Sequence, residues 1–498
     1  MKKALNLLGF DFGASSGRAM LGSLVDGKLT IEEVHRFAND PVKLCGRFVW
    51  DIPRLFYEMK QALLKLSRSG ETVDAIGIDT WGVDFGLLDK NGHLLGLPVH
   101  YRDARTNGVP EKVREIIPDE ELFSRTGIAF NSFNTLYQLY AMKDEGDPTL
   151  ESASELLFMP DLLAYFLTGK KGTEYTVAST SQLLNPYTRD WDRDLMEKLG
   201  IPARIFGEVK LPGTARGTLL PEIARECGVA EIPVIAIGGH DTASAVAAVP
   251  AREEDFAYIS SGTWSLLGAE IEKPLCAEGV MKANYTNEGG VDGSIRLLKN
   301  IMGLWIIQEC KREWDRHGSE TSFGELVELS MQAPAFKAII DVDDPAFLAP
   351  GDMPARIQAY CEKSGQAVPE GRGELSRVIY ESLALKYRWA IERLEADMLK
   401  KPIEALHIVG GGSKNALLNQ FTAEAIHRPV IAGPDEGTII GNLLVQAQAL
   451  GAIDGMRALR QVVEDSFPTQ TFLPETDGKA WDEAYSRYLQ ICGGARLL

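Results

Sequence analysis

Apolar positions along this chain take two recurring forms, short unbroken runs and stripes spaced three or four apart. The runs read as strands buried on both faces of a sheet, and the stripes as helices packed against one. Leu5 to Phe12 is the first such run. The chain returns as Arg18 to Leu24, turns at Asp26-Gly27 and runs back as Leu29 to Phe37, and Asp-Gly between such runs is a hairpin signal. Leu55, Met59, Leu63 and Leu66 fall at helical spacing, with Ser69-Gly70 as the stop. Ala75 to Asp79 predicts another buried strand. From Asn131 to Ser181 the pattern is mostly helical, with Pro160 and Asp161 opening a helix over Leu162 to Leu167 that Gly169 ends. Val234 to Ile237 predicts a strand, and Ala243 to Val249 a packed helix.

A boundary is expected near 249–255, and beyond it the opening pattern recurs. Phe256 to Ile259 reads as a strand, Ser260 to Ser265 as a turn, and Leu266 to Gly268 as a strand. Two copies of strand, Ser-Ser-Gly turn and strand, one in each half of the chain, suggest two related domains. Arg377 to Met398 carries the stripe Ile379, Leu383, Tyr387, Ala390 or Ile391, and Leu394, so a helix is predicted there. Ala405 to Val409 is a buried strand that closes in Gly410-Gly411-Gly412. A helix over Asn415 to Ile426, a strand over Val430 to Ala432 and a helix opening at Glu436 to Asn442 follow. The segment from Gly478 on is polar-amphipathic and is expected to pack on the surface. Strands alternating with helices place the chain in the α/β class.

Composition narrows the function. A net charge of -18 over 498 residues excludes nucleic-acid binding through a basic face. No run of 18 apolar residues predicts a membrane span. Met1-Lys2-Lys3 before Ala4 to Phe10 faintly mimics a signal peptide, but Asp11 interrupts the run and no small-residue cleavage site follows. The six cysteines form no Cys-x-x-Cys pair, so reduced thiols in a cytoplasmic protein are expected.

Candidate chemistry gathers at strand ends. Gly238-Gly239-His240-Asp241-Thr242 follows a predicted strand and opens a predicted helix. Open α/β sheets place ligands at such carboxyl ends. The competing role for Asp241 or Thr242 is a helix N-cap. Asp11-Phe12-Gly13-Ala14-Ser15-Ser16-Gly17-Arg18 is a tight turn rich in backbone and hydroxyl donors. It can wrap phosphate oxygens, with Asp11 beside it to hold a magnesium ion through water. It joins two antiparallel strands, which excludes the Walker and Rossmann motifs; an ordinary hairpin turn is the competing role. Trp81-Gly82 can form a sugar-sized wall, or Trp81 can be a core residue in a turn. Tyr101-Arg102-Asp103-Ala104-Arg105 is a solvated face or a hydroxyl-binding segment. Gly410-Gly411-Gly412 can let a flat ligand lie on the backbone, as adenine or ribose would.

Taken in order, these motifs resemble the FGGY carbohydrate kinases of the actin-like ATPase superfamily, over nearly the whole chain. Ile78-Asp79-Thr80-Trp81-Gly82-Val83-Asp84-Phe85, His240-Asp241-Thr242-Ala243-Ser244, Ser260-Ser261-Gly262-Thr263-Trp264-Ser265, Lys299-Asn300-Ile301-Met302-Gly303-Leu304-Trp305 and His407-Ile408-Val409-Gly410-Gly411-Gly412 carry it. They are similar to the wording of the branch that acts on L-rhamnulose. Trp81-Gly82-Val83-Asp84 stands where D-xylulose kinases show Gly-Gln-Met-His-Gly. The resemblance implies two actin-like (ribonuclease H-like) domains with a ligand cleft between them. It assigns 1–249 to the sugar, the phosphate hairpin and the catalytic aspartate, 250–455 to ATP, and 456–498 to a helical tail packed on the second domain. It implies ATP and Mg2+ as cofactors, and transfer of the γ-phosphate to the 1-hydroxyl of L-rhamnulose. Asp241 is then the base, Asp11 the metal-side aspartate, and Gly82, Trp81, His240, Thr242 and Asn300 the sugar contacts. Ala14, Ser15, Ser16, Gly17, Arg18, Thr263, Gln308 and Gly411 are the ATP contacts. The expected partners are the small-molecule sugar and ATP, with no nucleic acid and no membrane, for a monomer or weak homo-oligomer. A kinase of another deoxyketose such as L-fuculose, and a non-catalytic ATP-binding switch, are the alternatives.

Overall fold

The apolar runs of the opening segment become strands because their side chains are buried on both sides. The computed structural model describes residues 4–252 and 255–492. Met1, Lys2 and Lys3 of the opening segment, Glu253 and Glu254 of the expected boundary, and 493–498 of the expected tail lie outside the described residues. Strands β1 (Leu5–Phe12), β2 (Ser16–Val25) and β3 (Lys28–Ala38) form an antiparallel meander. Its second turn is Asp26-Gly27, both at positive φ, as a two-residue hairpin of this type requires. Strand β4 (Ala75–Thr80) is buried throughout and lies parallel to β1. With β5 (Ala215–Thr218) and β6 (Pro233–Ile235) the six-stranded sheet runs β5-β6-β4-β1-β2-β3.

Helix Ile52–Ser69 covers one face of this sheet with Leu55, Met59, Leu63 and Leu66 buried, and ends at Gly70 in the left-handed conformation. The stretch expected to be mostly helical holds Thr135–Glu145, Pro148–Ser152, Met159–Thr168 and Tyr175–Ser179, interleaved with the short strands Glu155–Phe158 and Thr173–Glu174. A later helix, Gly437–Ala449, also packs on the sheet, with Asn442 and Gln446 donating to the Phe10 and Leu8 carbonyls. It also lies tight against helix Asp241–Ala247, since a Cβ on Gly441 would overlap the Ser244 carbonyl.

In the second half, β7 (Phe256–Ser261) and β8 (Ser265–Ile271) pair antiparallel, and β9 (Ala405–Val409) lies parallel to β7. Strand β10 (Val430–Ala432) is parallel to β9, and β11 (Gln470–Phe472) closes the edge antiparallel. These five neighbouring strands run β8-β7-β9-β10-β11. The predicted Arg377–Met398 helix is Gly371–Arg393, passing into a wider turn at Leu394–Leu399. Its stripe is buried as expected, but Ser382 and Lys386 on other faces are buried too, so it is a central helix and not a surface one.

The chain divides into two compact units that are discontinuous in sequence. The first holds residues up to Pro250, Glu270–Leu297 and Gly437–Ser466; the second holds Ala251–Ala269, Leu298–Glu436 and the residues from Phe467 on. The expected tail therefore divides. Helix Gly455–Ser466 buries Leu459, Val462 and Val463 in the first unit, where the Leu29 amide donates to Ser466 Oγ. Helix Lys479–Ile491 belongs to the second. No helix of the described residues is long and apolar enough to cross a membrane, and all six cysteines are free thiols.

Candidate active site

Parallel pairing lines up three strand ends in the first unit. Asp11 on β1 stands in register with Asp79 on β4, and Thr80 bridges in parallel to His240, one residue before Asp241. The Thr80 amide donates to the Gly239 carbonyl at 2.9 Å. Three carboxylates thus meet at the carboxyl end of one sheet, where an α/β fold presents ligands.

Asp11 is held by its cross-strand partner: Arg18 Nε and Nη2 both donate to Asp11 Oδ2, at 3.0 and 2.8 Å. Asp79 is fully buried, and Asn442 Nδ2 donates to its Oδ2 at 2.6 Å. Burial, and then the neighbouring Asp11 carboxylate, push Asp79 well above the usual carboxylate range. Asp241 is the first residue of helix Asp241–Ala247. Desolvation raises its carboxyl above the ordinary value, His240 opposes that, and Asp11 adds to it. Its side chain is still 34% exposed, so water screens part of this push.

The N-cap expectation for Asp241 or Thr242 is corrected here. His240 occupies the cap position and makes no side-chain cap bond. Asp241 Oδ1 instead accepts from the amide and Oγ1 of Thr242, which leaves its Oδ2 available.

The Trp81-Gly82 turn is more deeply built into the core than a wall requires. Trp81 is 6% exposed and lies on Trp50 with ring centroids 3.9 Å apart. His100 and Tyr101 extend the aromatic column beyond Trp50. Asp84 Oδ2 accepts from both indole N–H groups and from the Tyr101 amide, and Gln138 donates to Oδ1. Burial outweighs these bonds and lifts Asp84 to about 6. Val83 sits at φ 65°, a strained place for a β-branched residue. Its backbone is held there by hydroxyl groups, Thr180 accepting from its N–H and Thr135 donating to its carbonyl. Strain of this kind persists where surrounding bonds over-determine it, and it concentrates at ligand sites. Gly82 faces Thr180, and Thr242 is buried.

In the phosphate-turn candidate, Ala14, Ser15 and Ser16 are exposed, Gly17 is buried, and Arg18 is committed to Asp11. A Cβ on Gly17 would overlap the Phe37 ring, so this glycine answers to core packing, not to room for phosphate as its place in the turn suggests. Gly13 is the freer glycine, with a Cβ meeting only the Ser16 carbonyl, at 3.3 Å.

The second unit carries its own cluster. Gly262 and Thr263 are exposed at the β7–β8 turn, and Thr263 Oγ1 donates to Gln308 Oε1 at 3.3 Å. The Leu304 and Trp305 amides donate to the Gly262 and Thr263 carbonyls, which seats helix Trp305–Arg316 against the turn. Of the three glycines after β9, Gly410 and Gly412 pack on Ser261 and leave no room for a Cβ. Gly411 is exposed, with nothing within 4 Å of a Cβ built on it. Asn300 is half-buried on strand Ile295–Ile301. Its neighbour Lys299 is pushed down to about 8 by burial and then by Lys386, with Asp343 and Asp341 opposing.

Sequence reasoning missed Asp79, Glu288 and Arg296 as members of the first-unit cluster. His240 Nδ1 lies 3.2 Å from Glu288 Oε2 and 3.1 Å from Arg296 Nη2. A signal existed for Asp79, since Phe10-Asp11 and Ile78-Asp79 both end a buried apolar run in aspartate. None existed for the other two.

Among the described residues no three His, Cys, Asp or Glu side chains are grouped to hold a metal by themselves. Magnesium is commonly held by one or two carboxylates together with water and substrate phosphates. Asp79 Oδ1 is buried without a hydrogen-bond partner, and the Asp11 carboxylate adds to the rise of Asp79; a cation bound beside them would oppose that rise and favour the charged form.

Comparisons with known proteins agree with this geometry. Residues 6–248 match the N-terminal domain, and 257–450 the C-terminal domain, of the FGGY family of carbohydrate kinases. A rhamnulokinase of Bacteroides thetaiotaomicron is 46% identical over 483 residues, spanning 97% of this chain and 98% of the relative. One from Oceanobacillus iheyensis is 44% identical over 469 residues, spanning 94% and 98%. A ligand-bound xylulose kinase from Lactobacillus acidophilus shares the fold with a TM-score of 0.82 at 17% identity, covering 98% of this chain and 97% of that one. A Plasmodium falciparum glycerol kinase with ADP has a TM-score of 0.78 at 16% identity, covering 98% and 97%. The chain belongs to the FGGY family of carbohydrate kinases.

Proposed function

We propose that this kinase transfers the γ-phosphate of ATP to the 1-hydroxyl of L-rhamnulose, with Asp241 as the general base. The observation that carries the chemistry is Asp241 itself: a part-exposed carboxylate at a strand end, with Oδ1 tied to Thr242 and Oδ2 available. The sugar identity rests on relatives named rhamnulokinase, 46% and 44% identical over nearly the whole chain.

In this reading Asp241 Oδ2 accepts the proton of the 1-hydroxyl as the O1–P bond forms. The bond between the γ-phosphorus and the β–γ bridging oxygen breaks, and ADP leaves. A base so placed contributes about 10²–10⁴-fold, and a carboxyl raised toward working pH is a better proton acceptor than an ordinary one. Phosphoryl transfer otherwise depends on positioning and charge neutralisation. Gly82, His240, Thr242 and Asn300 contact the sugar, and Trp81 backs Gly82 through its stack on Trp50. Ala14 to Arg18, Thr263, Gln308 and Gly411 contact ATP. Within the first assignment Ala14, Ser15 and Ser16 make the contacts, and Gly17 and Arg18 shape the turn. Residues 1–249 supply the base, most sugar contacts and the phosphate hairpin, and 250–455 supply the other nucleotide contacts together with Asn300. Magnesium would be held on the Asp11 side, where it neutralises phosphate charge; Arg18 orients Asp11 for it. An enzyme fed by ATP and a free ketose works in the cytoplasm.

The test is ADP formation across L-rhamnulose, L-fuculose, D-xylulose, L-ribulose and glycerol. The highest kcat/KM should fall to L-rhamnulose. A clear preference for glycerol or D-xylulose overturns the sugar, and ATP turnover that no sugar stimulates overturns the enzyme.

A further inference from the structure

Behind His240 lies a buried ion pair that the phosphoryl-transfer reading does not use. Glu288 lies on the short strand Thr286–Gly289, and Arg296 on strand Ile295–Ile301. Both positions lie in Glu270–Leu297, which belongs to the first unit, although the stretches on either side of that segment fold into the second. Arg296 is fully buried; its Nε donates to the Gly289 carbonyl at 2.9 Å, and its Nη2 lies 3.1 Å from Glu288 Oε2. The Gly289 amide donates in turn to Ser179 Oγ at 2.8 Å, so the strand is anchored to helix Tyr175–Ser179.

The same Arg296 Nη2 is 3.1 Å from His240 Nδ1. A guanidinium has five donors and no acceptor, so a hydrogen bond between them requires Nδ1 to carry a lone pair. The ring proton then sits on Nε2, which lies 3.4 Å from Asp241 Oδ1. Glu288, beside the same Nδ1, would draw a proton to that nitrogen if Arg296 did not balance it. The other charged groups near this centre act elsewhere: Glu174 accepts from the Gly239 amide, and Asp11 acts on Asp241.

We propose that Arg296 and Glu288 are positioning residues that fix His240 in the Nε2–H tautomer, so that the ring presents a donor toward Asp241 and the sugar oxygens beside it. Arg296 supplies the hydrogen bond that sets the tautomer. Glu288 neutralises Arg296, so that a guanidinium can be buried next to a neutral ring. The proposal rests on the sugar-kinase reading for its consequence, but the tautomer is a property of the free protein.

The experiment is nitrogen NMR on full-length protein carrying 15N-histidine, without ATP or sugar. The chain has seven histidines, and the His240 signal is assigned as the one lost in His240→Asn. In wild type at neutral pH, Nδ1 should show the unprotonated shift and Nε2 the protonated one. Arg296→Met should move the proton to Nδ1 and lower kcat/KM for the sugar at least about tenfold, with the ATP Kd within about twofold. Arg296→Lys, which still donates to Nδ1, should recover the wild-type tautomer and part of the activity. A wild-type His240 that is protonated on Nδ1 overturns the proposal, and this holds even if Arg296→Met fails to fold. A folded Arg296→Met with an unchanged tautomer also overturns it. The expected tautomer in a protein without sugar-stimulated turnover would overturn the kinase reading and leave the positioning role standing.

Discussion

The two hairpins use nearly the same words, Ser15-Ser16-Gly17 and Ser260-Ser261-Gly262, yet the words sit at different places in the turn. In the first unit Gly17 pairs with Phe12, so Ser-Ser-Gly opens the returning strand. In the second, Ser261 pairs with Ser265, so Ser-Ser-Gly closes the outgoing one. The geometry matches Gly13 with Gly262 instead: each is the first turn residue, and each donates its N–H across the turn, to Ser16 and Trp264. Counted from these glycines, Asp11 corresponds to Ser260. In the neighbouring parallel strands, Asp79 beside Asp11 corresponds to Val409 beside Ser260. One frame, a hairpin flanked by a parallel strand, thus carries carboxylates at its strand ends in the first unit and hydroxyls and bare backbone in the second. The difference teaches a division of labour. On the proposed reading, the carboxylates that would take the proton and face the cation belong to the first unit, and the second offers the nucleotide a hydroxyl and open glycine backbone.

The largest expected effect tests the shift in register. Gly17→Val drives side-chain atoms into the Phe37 ring and should cost about 3 kcal/mol of stability. Gly262→Ala, with nothing closer than the Trp264 carbonyl at 4.0 Å, should change stability by less than about 0.5 kcal/mol. Urea unfolding of both variants checks this, and equal losses would restore the equivalence the shared words suggest.

Next comes the pH response of the first unit. Burial raises Glu174 to about 7 and Asp84 to about 6, above their unfolded values. Between the unfolded and folded values the native state binds more protons than the unfolded chain, so stability falls as pH rises. Their contribution is fully present below about pH 4 and is lost as pH passes about 7. Unfolding free energies at pH 6 and pH 8 should differ by roughly 2 kcal/mol from these groups, and Glu174→Gln should flatten the curve. A curve that rises with pH, or one Glu174→Gln does not change, would remove these carboxyls from the account.

The smallest expected effect probes the second unit. Gly411→Val places a side chain where nothing lies within 4 Å, so the fold should tolerate it. The ATP Kd should rise about tenfold, or ~1.4 kcal/mol, with sugar affinity unchanged. Calorimetry showing unaltered ATP binding would take the triple glycine out of the nucleotide site.

Much of this was legible because strand ends are marked twice, by the end of an apolar run and by the glycine or aspartate that follows. Val234 to Ile237 and the His240-Asp241-Thr242 that follows placed Asp241 correctly on those signals alone. What stayed hidden depends on partners distant in sequence. Glu288 and Arg296 lie in the second half of the chain but fold with the first unit, and no local pattern reports that crossing. Gly17 looks like a phosphate-turn glycine until Phe37, on the adjacent strand, is brought beside it. Trp81 reads equally as wall or core, and only the Trp50 stack and Asp84 decide for the core. The cap role for Asp241 failed because its carboxylate turns to Thr242, one residue on.

The most direct test of the division of labour is Asp241→Asn, assayed by single-turnover phosphoryl transfer to L-rhamnulose with ATP already bound. Asn keeps the shape and can still accept from Thr242, but it cannot take the proton. The rate should fall by about 10²–10⁴-fold, about 3–5 kcal/mol of barrier, while the Kd values for ATP and sugar shift by less than about tenfold. A variant that keeps more than about a tenth of the wild-type single-turnover rate would contradict the account.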